Sequence, residues 1–402
     1  MKILFLTDNF YPEANAPANR THEHCREWVK LGAEVTVVTC VPNFPKGVVF
    51  EGYKNKLYQK EMIDGIKVVR VWSYITANEG TIKRIVDYIS YAVVAFFAAL
   101  FHRTDIIIAT SPQFFTAISG AILSFFKRKP WIMEVRDIWP ESIVAVTAMT
   151  NKSVISFLEN IEKQLYRSAS SIIAVTDSFK INLISKGVNS DKIFIVKNGV
   201  SLDNFFPREK DTFLIERLKL ENKTIVGYFG THGMAHKLDF ILECAKEIDD
   251  DSIHFLFIGD GAERERLLKL KDQMNLNNVT MLSSVAKNEI PGYISIIDIA
   301  LVNLKKSDTF LSVIPSKIFE NAAMEKPILL GVSGETKGII EYYKAGLCFE
   351  PENKVDFIDK LNRIRKNTNL YVTGCKKLAF DYNRRSLARI YFSILHDVYK
   401  LH

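Results

Sequence analysis

Short apolar runs rich in β-branched residues alternate with longer stretches of helical periodicity, and the whole series occurs twice. The first set runs Ile3 to Thr7, Glu34 to Thr39, Asp105 to Thr110, Trp131 to Val135, Ser171 to Val175 and Lys192 to Val196. The second runs Thr224 to Phe229, Ile253 to Ile258, Val279 to Leu282, Ile297 to Val302 and Pro327 to Leu330. Strands that alternate with helices join as parallel βαβ units, because a parallel neighbour needs a crossover long enough to hold a helix. The sequence therefore predicts an α/β chain with two doubly wound parallel sheets in succession. Its 402 residues, 48% of them hydrophobic, suffice for two cores. Between the two sets lies Val196 to Asp203, where Asn198-Gly199 offers an easy left-handed turn. That sets the predicted domains at 1–198 and 199–382. Residues 383–402 read as a terminal helix that can cross back to the first domain, with the apolar stripe Leu387, Ile390, Tyr391, Ile394, Leu395 and Val398.

Open parallel sheets hold ligands beyond the carboxyl ends of their strands, so two such sheets joined by a short linker predict two ligand faces on one cleft, a layout for two substrates. A dehydrogenase could share it, but no G-x-G-x-x-G follows either first strand. The turns there read Asp8-Asn9-Phe10-Tyr11-Pro12 and Gly230-Thr231-His232-Gly233. The formal net charge of +7 lies mostly in the first 200 residues, with 24 Lys and Arg against 18 Asp and Glu. No arm or helix there is dense in cations, so a phosphate-bearing substrate or an anionic lipid surface explains the excess better than nucleic acid. Five scattered cysteines without a CxxC pair argue against a disulfide framework or a zinc site and fit a reducing compartment. The opening Met-Lys-Ile-Leu-Phe-Leu-Thr-Asp reads as a first strand rather than a signal peptide, which predicts a cytoplasmic protein.

Ile85 to Phe101 is apolar nearly all round, yet short for a membrane span, and it leads directly into a strand. A buried helix and an in-plane interfacial helix both fit it. Phe114 to Phe126 ends in Lys127-Arg128-Lys129. Phenylalanines beside cations suit a peripheral membrane surface, while an ordinary helix whose C-terminal charges complement its dipole is the plainer account.

The segment Ile314 to Pro327 places Ser316 at a helix N-cap, and a capped helix start at the ligand edge is an anion site. Glu320, one turn on, is suited to accept both hydroxyls of a ribose, with a surface glutamate as the competing reading. Asp249-Asp250-Asp251 precedes a strand and so sits at the wrong edge for a metal-binding acid motif, whereas Gly259-Asp260-Gly261 follows that strand, where small residues let backbone approach a ligand. His22, His24 and Cys25 fall in the first helix without a fourth ligand, which favours core or solvated roles over a metal.

Pro315-Ser316-Lys317-Ile318-Phe319-Glu320, followed by Met324-Glu325-Lys326-Pro327-Ile328, resembles the donor motif of family 4 glycosyltransferases, retaining enzymes of the GT-B type. The resemblance extends through Tyr11-Pro12-Glu13, Asp137-Ile138-Trp139-Pro140-Glu141, Asn198-Gly199-Val200, Gly259-Asp260-Gly261 with Glu263-Arg264, and Asp298. The Asp-x-Trp-Pro-Glu and Pro-Ser-Lys-x-Phe-Glu pair is similar to a branch making bacterial O-antigen and capsule, including N-acetyl-L-fucosamine transferases. The resemblance implies an N-terminal domain that binds the acceptor and the membrane, a C-terminal domain that binds the nucleotide sugar, and a front-face reaction in which the leaving phosphate takes the acceptor proton. It also implies a UDP-sugar as co-substrate, no cofactor and no metal, and a polyprenyl-diphosphate-linked saccharide as acceptor on the inner face of the plasma membrane.

The chain departs from that family's pattern at several positions. Ser312 stands where a first glutamate is usual, and Thr231-His232 where a diphosphate-binding arginine is usual, while Lys237 matches the lysine. Glycines of the first loop are replaced by Ala14 to Asn19, with Asn15 and Arg20 as acceptor-side candidates. Arg136-Asp137 stands near the place of the family's cleft histidine. The candidate donor ligands are Glu320, Lys317, Ser316, Gly230, His232, Gly259, Gly261 and Val285, the last reading the base through backbone groups. Arg136 and Trp139 join Asn15 and Arg20 on the acceptor side. Charge builds on the leaving diphosphate as the anomeric bond breaks, so Lys237 and the Ser316-Lys317 helix start would carry the main catalytic stabilisation. Asp137 either orients the acceptor hydroxyl or bonds loop amides beside Trp139. A GT-B-fold nucleotide-sugar epimerase and a non-catalytic nucleotide-sugar-binding membrane partner are the alternatives, the second favoured by Ser312.

Overall fold

The computed structural model describes the chain apart from residues 14, 45, 77–80, 112–113 and 142–150 and the side chains at 81 and 82. It forms two compact units, one of Met1–Asn198 with Arg384–His402 and one of Gly199–Asn383.

In the first unit the strands are β1 (Lys2–Leu6), β2 (Glu34–Cys40), β3 (Tyr58–Ile63), β4 (Ile66–Val71), β5 (Ile106–Thr110), β6 (Trp131–Val135), β7 (Ser171–Ala174) and β8 (Ile193–Ile195). They lie in the order β3-β4-β2-β1-β5-β6-β7-β8, all parallel except β3 against β4. Strands β1, β5, β6 and β7 are buried on both faces, which is why they read as unbroken apolar runs. The β3–β4 hairpin turns on Asp64-Gly65, both at positive φ. The Arg384–Lys400 helix lies on the Ala16–Lys30 helix. There the Trp28 indole donates to the Ala388 carbonyl at 2.9 Å, and the Tyr391 ring meets Trp28 edge-on at 5.1 Å. The terminal helix thus completes the core of this unit.

The Thr81–Leu100 and Phe114–Lys127 helices pack together, joined by Ser119 Oγ donating to the Ala92 carbonyl at 2.8 Å. Tyr91, Ala95 and Ala99 turn inward, while Phe97, Phe101, Phe125 and Phe126 are exposed at 57, 87, 80 and 64%. Among the described residues no helix is long and apolar enough to cross a membrane.

The second unit holds β9 (Thr224–Phe229), β10 (Ile253–Ile258), β11 (Val279–Leu282), β12 (Ile299–Asn303), β13 (Ile328–Gly331) and β14 (Gly346–Cys348), ordered β11-β10-β9-β12-β13-β14 and all parallel. Crossover helices cover both faces over two apolar clusters. The order reverses between β9 and β12, so the loops leaving their carboxyl ends frame the crevice where such sheets bind ligands.

Candidate active site

At that crevice β9 ends on Tyr228 and Phe229, and the chain turns through Gly230 to His232. A Cβ on Gly259 would lie 1.8 Å from the Gly230 carbonyl oxygen, so only glycine lets the ends of β9 and β10 approach this closely. The loops are then tied by His232 N–H donating to the Asp260 carbonyl at 2.8 Å and Glu263 N–H to the His232 carbonyl at 2.9 Å, with Gly261 pressed against His232.

Against this knot stands Lys317, the first residue of the Lys317–Ala323 helix. Its ammonium lies 3.9 Å from the Tyr228 ring centroid and beside Gly230, where an added Cβ would approach it to 2.9 Å. The Nζ is buried and has no hydrogen-bond partner among the described residues. Burial pushes its pKa down to about 7, opposed in part by Glu320 one turn along. His232 is fully buried, with both ring nitrogens unpartnered among the described residues, and burial lowers its pKa to about 4. Burial takes His236 down to about 3. Its ring lies 5.9 Å from that of Tyr228, and its carbonyl accepts from Asn303 Nδ2 at 2.9 Å. Sequence reasoning named His232 and Lys317 but missed His236 and Asn303. A signal existed: Asn303 is the polar end of an apolar strand at the ligand edge.

Ser316 departs from its expected role. Its backbone is already helical, at φ −59° and ψ −24°, and its side chain makes no cap hydrogen bond, so it does not cap the helix. Lys237, at φ 47°, is ion-paired with Asp239 at 3.2 Å and lines a cavity of about 340 Å³ with Glu263, Arg266 and Lys305. Val285 is partly buried against the unit's core. Asp298 accepts from Ile225 N–H at the opposite sheet edge, and Asp250 pairs there with Arg365 at 2.7 Å, so both are structural.

In the first unit the acceptor candidates separate. Arg20 is 2% exposed and fully engaged: its Nε donates to Glu134 at 2.6 Å, and its other nitrogens donate to the Val196 and Lys197 carbonyls and Asn198. It is a buried strut, since each guanidinium nitrogen already donates and a side chain 2% exposed offers no surface to a sugar. Asn15 caps the Ala16–Lys30 helix, accepting from Ala18 N–H at 2.8 Å. Trp139 is core, stacked on Phe114 at 6.1 Å and meeting Tyr88 edge-on at 6.5 Å. Arg136 keeps a buried Nη1 without a hydrogen-bond partner among the described residues, and burial lowers its pKa to about 10. Asp137 follows it, and its carbonyl accepts from Ser111 Oγ at 3.1 Å. Asp8, just past the end of β1, was not among the sequence candidates; burial raises its pKa to about 7, with Glu13 and Asp87 pushing the same way. Burial also raises Asp87, to about 6. His22 pairs with Asp64 at 2.9 Å, and His24 and Cys25 are buried. No group of three metal-ligating side chains occurs among the described residues.

Two family models match: "Glycosyl transferase 4-like domain" over residues 15–199 and "Glycosyl transferases group 1" over residues 210–374. The putative colanic acid biosynthesis glycosyl transferase WcaI of Escherichia coli K12 is 25% identical over 88% of this chain and 89% of its own. Among solved structures, sucrose-phosphate synthase from Thermosynechococcus elongatus superposes with a TM-score of 0.79 at 14% identity, over 100% of both chains. Anabaena Alr3699/HepE in complex with UDP superposes with a TM-score of 0.70 at 17% identity, over 99% of this chain and 100% of that one. With both family models matched and both sheets of the expected kind in place, the chain belongs to the family 4 glycosyltransferases and has the GT-B fold.

Proposed function

We propose that the protein moves a sugar, an N-acetylated amino-deoxy hexose such as N-acetyl-L-fucosamine, from a UDP-sugar to a polyprenyl-diphosphate-linked saccharide during surface polysaccharide assembly. The reaction is retaining and proceeds without a divalent ion. The observation that carries this reading is the second unit's ligand edge, where the Lys317 ammonium is buried without a hydrogen-bond partner among the described residues, one turn before Glu320, over loops that Gly230, Gly259 and Gly261 let close up. Burial disfavours the charged form of Lys317, Glu320 offsets only part of that, and an arriving diphosphate would supply the rest. Glu320 is proposed to hold the ribose, and backbone near Val285 the base. Lys237 turns from Asp239 to the diphosphate; Asp239 keeps Arg266 at 3.0 Å, so the move leaves no bare carboxylate. Asp137 and Arg136 face the acceptor. The names of the relatives support the wider setting: WcaI is described for colanic acid, and HepE was solved with UDP and with UDP-glucose. The exposed Phe97, Phe101, Phe125 and Phe126 beside Arg128 and Lys129 support docking on an anionic membrane face.

Calorimetric titration with UDP and GDP, with and without magnesium, tests the reading. Expected is metal-independent UDP binding that Glu320→Ala and Lys237→Ala each weaken at least about tenfold. No binding of either nucleotide would remove the donor assignment, and donor hydrolysis without acceptor would exclude a purely binding role.

A further inference from the structure

The Lys317 ammonium is buried with no hydrogen-bond partner among the described residues and with an aromatic face against it. Four titratable groups stand near it among the described residues. Tyr228 on β9 offers its ring at 3.9 Å; His232 and His236 come from the turn and the 3-10 segment that follow; Glu320 lies on its own helix. Beyond His232 stand Arg264 and Asp260. Both histidines are neutral above pH 5, with pKa values near 4 and 3, and so are hydrogen-bond partners without charge. The ring face gives a cation only part of what water would. An amine in this position is poorly charged while the site is empty, and a diphosphate reverses the balance by supplying the missing counter-charge.

We propose that Lys317 takes over the diphosphate-binding role for which no arginine follows β9, and that donor binding draws one proton from solvent onto Lys317. This rests on the donor assignment above. The proton comes from buffer, Nζ passes from amine to ammonium, and the ammonium then donates to the diphosphate oxygens while His232 and His236 complete the cradle with ring N–H groups. One consequence is that the nucleotide site gains affinity as the surroundings acidify towards neutrality. Another is that a released product leaves the lysine free to give the proton back. Burial also pulls Lys326 down, to about 8, but Lys326 donates to the Ser295 carbonyl near Asp298 at the opposite sheet edge.

The test is titration calorimetry of the intact protein with UDP at pH 7.5 to 9, in pairs of buffers that differ in ionisation enthalpy. In that range the terminal phosphate of UDP, with a pKa of about 6, is already ionised. Expected is uptake approaching one proton at pH 8.5, with UDP affinity falling towards about tenfold per pH unit above neutrality. Lys317→Met should lose the uptake and at least about tenfold in affinity at pH 7, whereas Lys317→Arg, charged throughout, should bind with no uptake and a flat pH profile. UDP binding with no proton uptake in the wild type would overturn this proposal and leave the donor assignment standing. Failure of both UDP and GDP to bind would overturn both.

Discussion

Arg20 Nε donates to Glu134 Oε1 at 2.6 Å, and each side chain is only 2% exposed, so the first unit carries a charge pair inside its core. Removing one partner strands the other in a medium that cannot solvate it. Arg20→Met should therefore cost about 3–5 kcal/mol in urea unfolding, and adding Glu134→Leu should recover much of that loss. UDP affinity of the folded protein should stay unchanged, since the pair lies in the other unit.

Two glycines of the second unit should respond in opposite senses. Gly259→Ala drives a methyl into the Gly230 carbonyl and should lose about 1–3 kcal/mol or more, with a drop in UDP affinity. Gly338, inside the Glu335–Tyr343 helix, has nothing within 4 Å of an added Cβ. Gly338→Ala should gain about 0.5–1 kcal/mol and leave UDP binding intact, as paired denaturation and titration would measure.

Both sheets were legible in the sequence because parallel strands buried on two faces leave continuous apolar runs. The hairpin strands β3, Tyr-Gln-Lys-Glu-Met-Ile, and β4, Ile-Lys-Val-Val-Arg-Val, were not, since charged residues interrupt the apolar pattern of both and one face of β3 meets solvent. Strand β14 has three residues and no pattern to read. In the site, residue type and position named Lys317, Glu320 and the glycines as candidates, and the structure brings Lys317 against Gly230 and Gly230 against Gly259. Sequence could not distinguish Arg20 the strut from Arg20 the ligand, because its partner Glu134 is 114 positions away. Nor could it foresee that Lys127, one of three clustered cations, spends its ammonium on the Leu100 and His102 carbonyls.

Asp8 should make stability depend on pH. Its folded pKa of about 7 exceeds the ordinary 3.8, so the folded state binds more protons between those values. Its contribution to stability falls as pH rises through that window, and the full cost is present above it. Asp8→Asn should stabilise the protein by roughly 1–3 kcal/mol at pH 8 and hardly at all at pH 4. Chemical unfolding at both pH values checks this; an equal effect at each would show that Asp8 is not the titrating group.

The aromatic face can be tested without touching the sugar chemistry. Phe101→Ser with Phe125→Ser should reduce binding to vesicles containing anionic lipid by at least about tenfold, read by flotation. UDP affinity should not change. Retention of vesicle binding would point to a surface elsewhere.

The helix Arg384–Lys400 belongs to the unit that the chain began, not the one it has just left. During synthesis the first 198 residues emerge long before Tyr391 and Leu395 exist to cover Trp28 and Cys25. The part of the molecule made first is therefore finished last, and must wait with an open seam while the second unit, continuous in sequence, can fold as soon as it is made. Shortening the chain by its last nineteen residues would be felt as a failure of the opposite end.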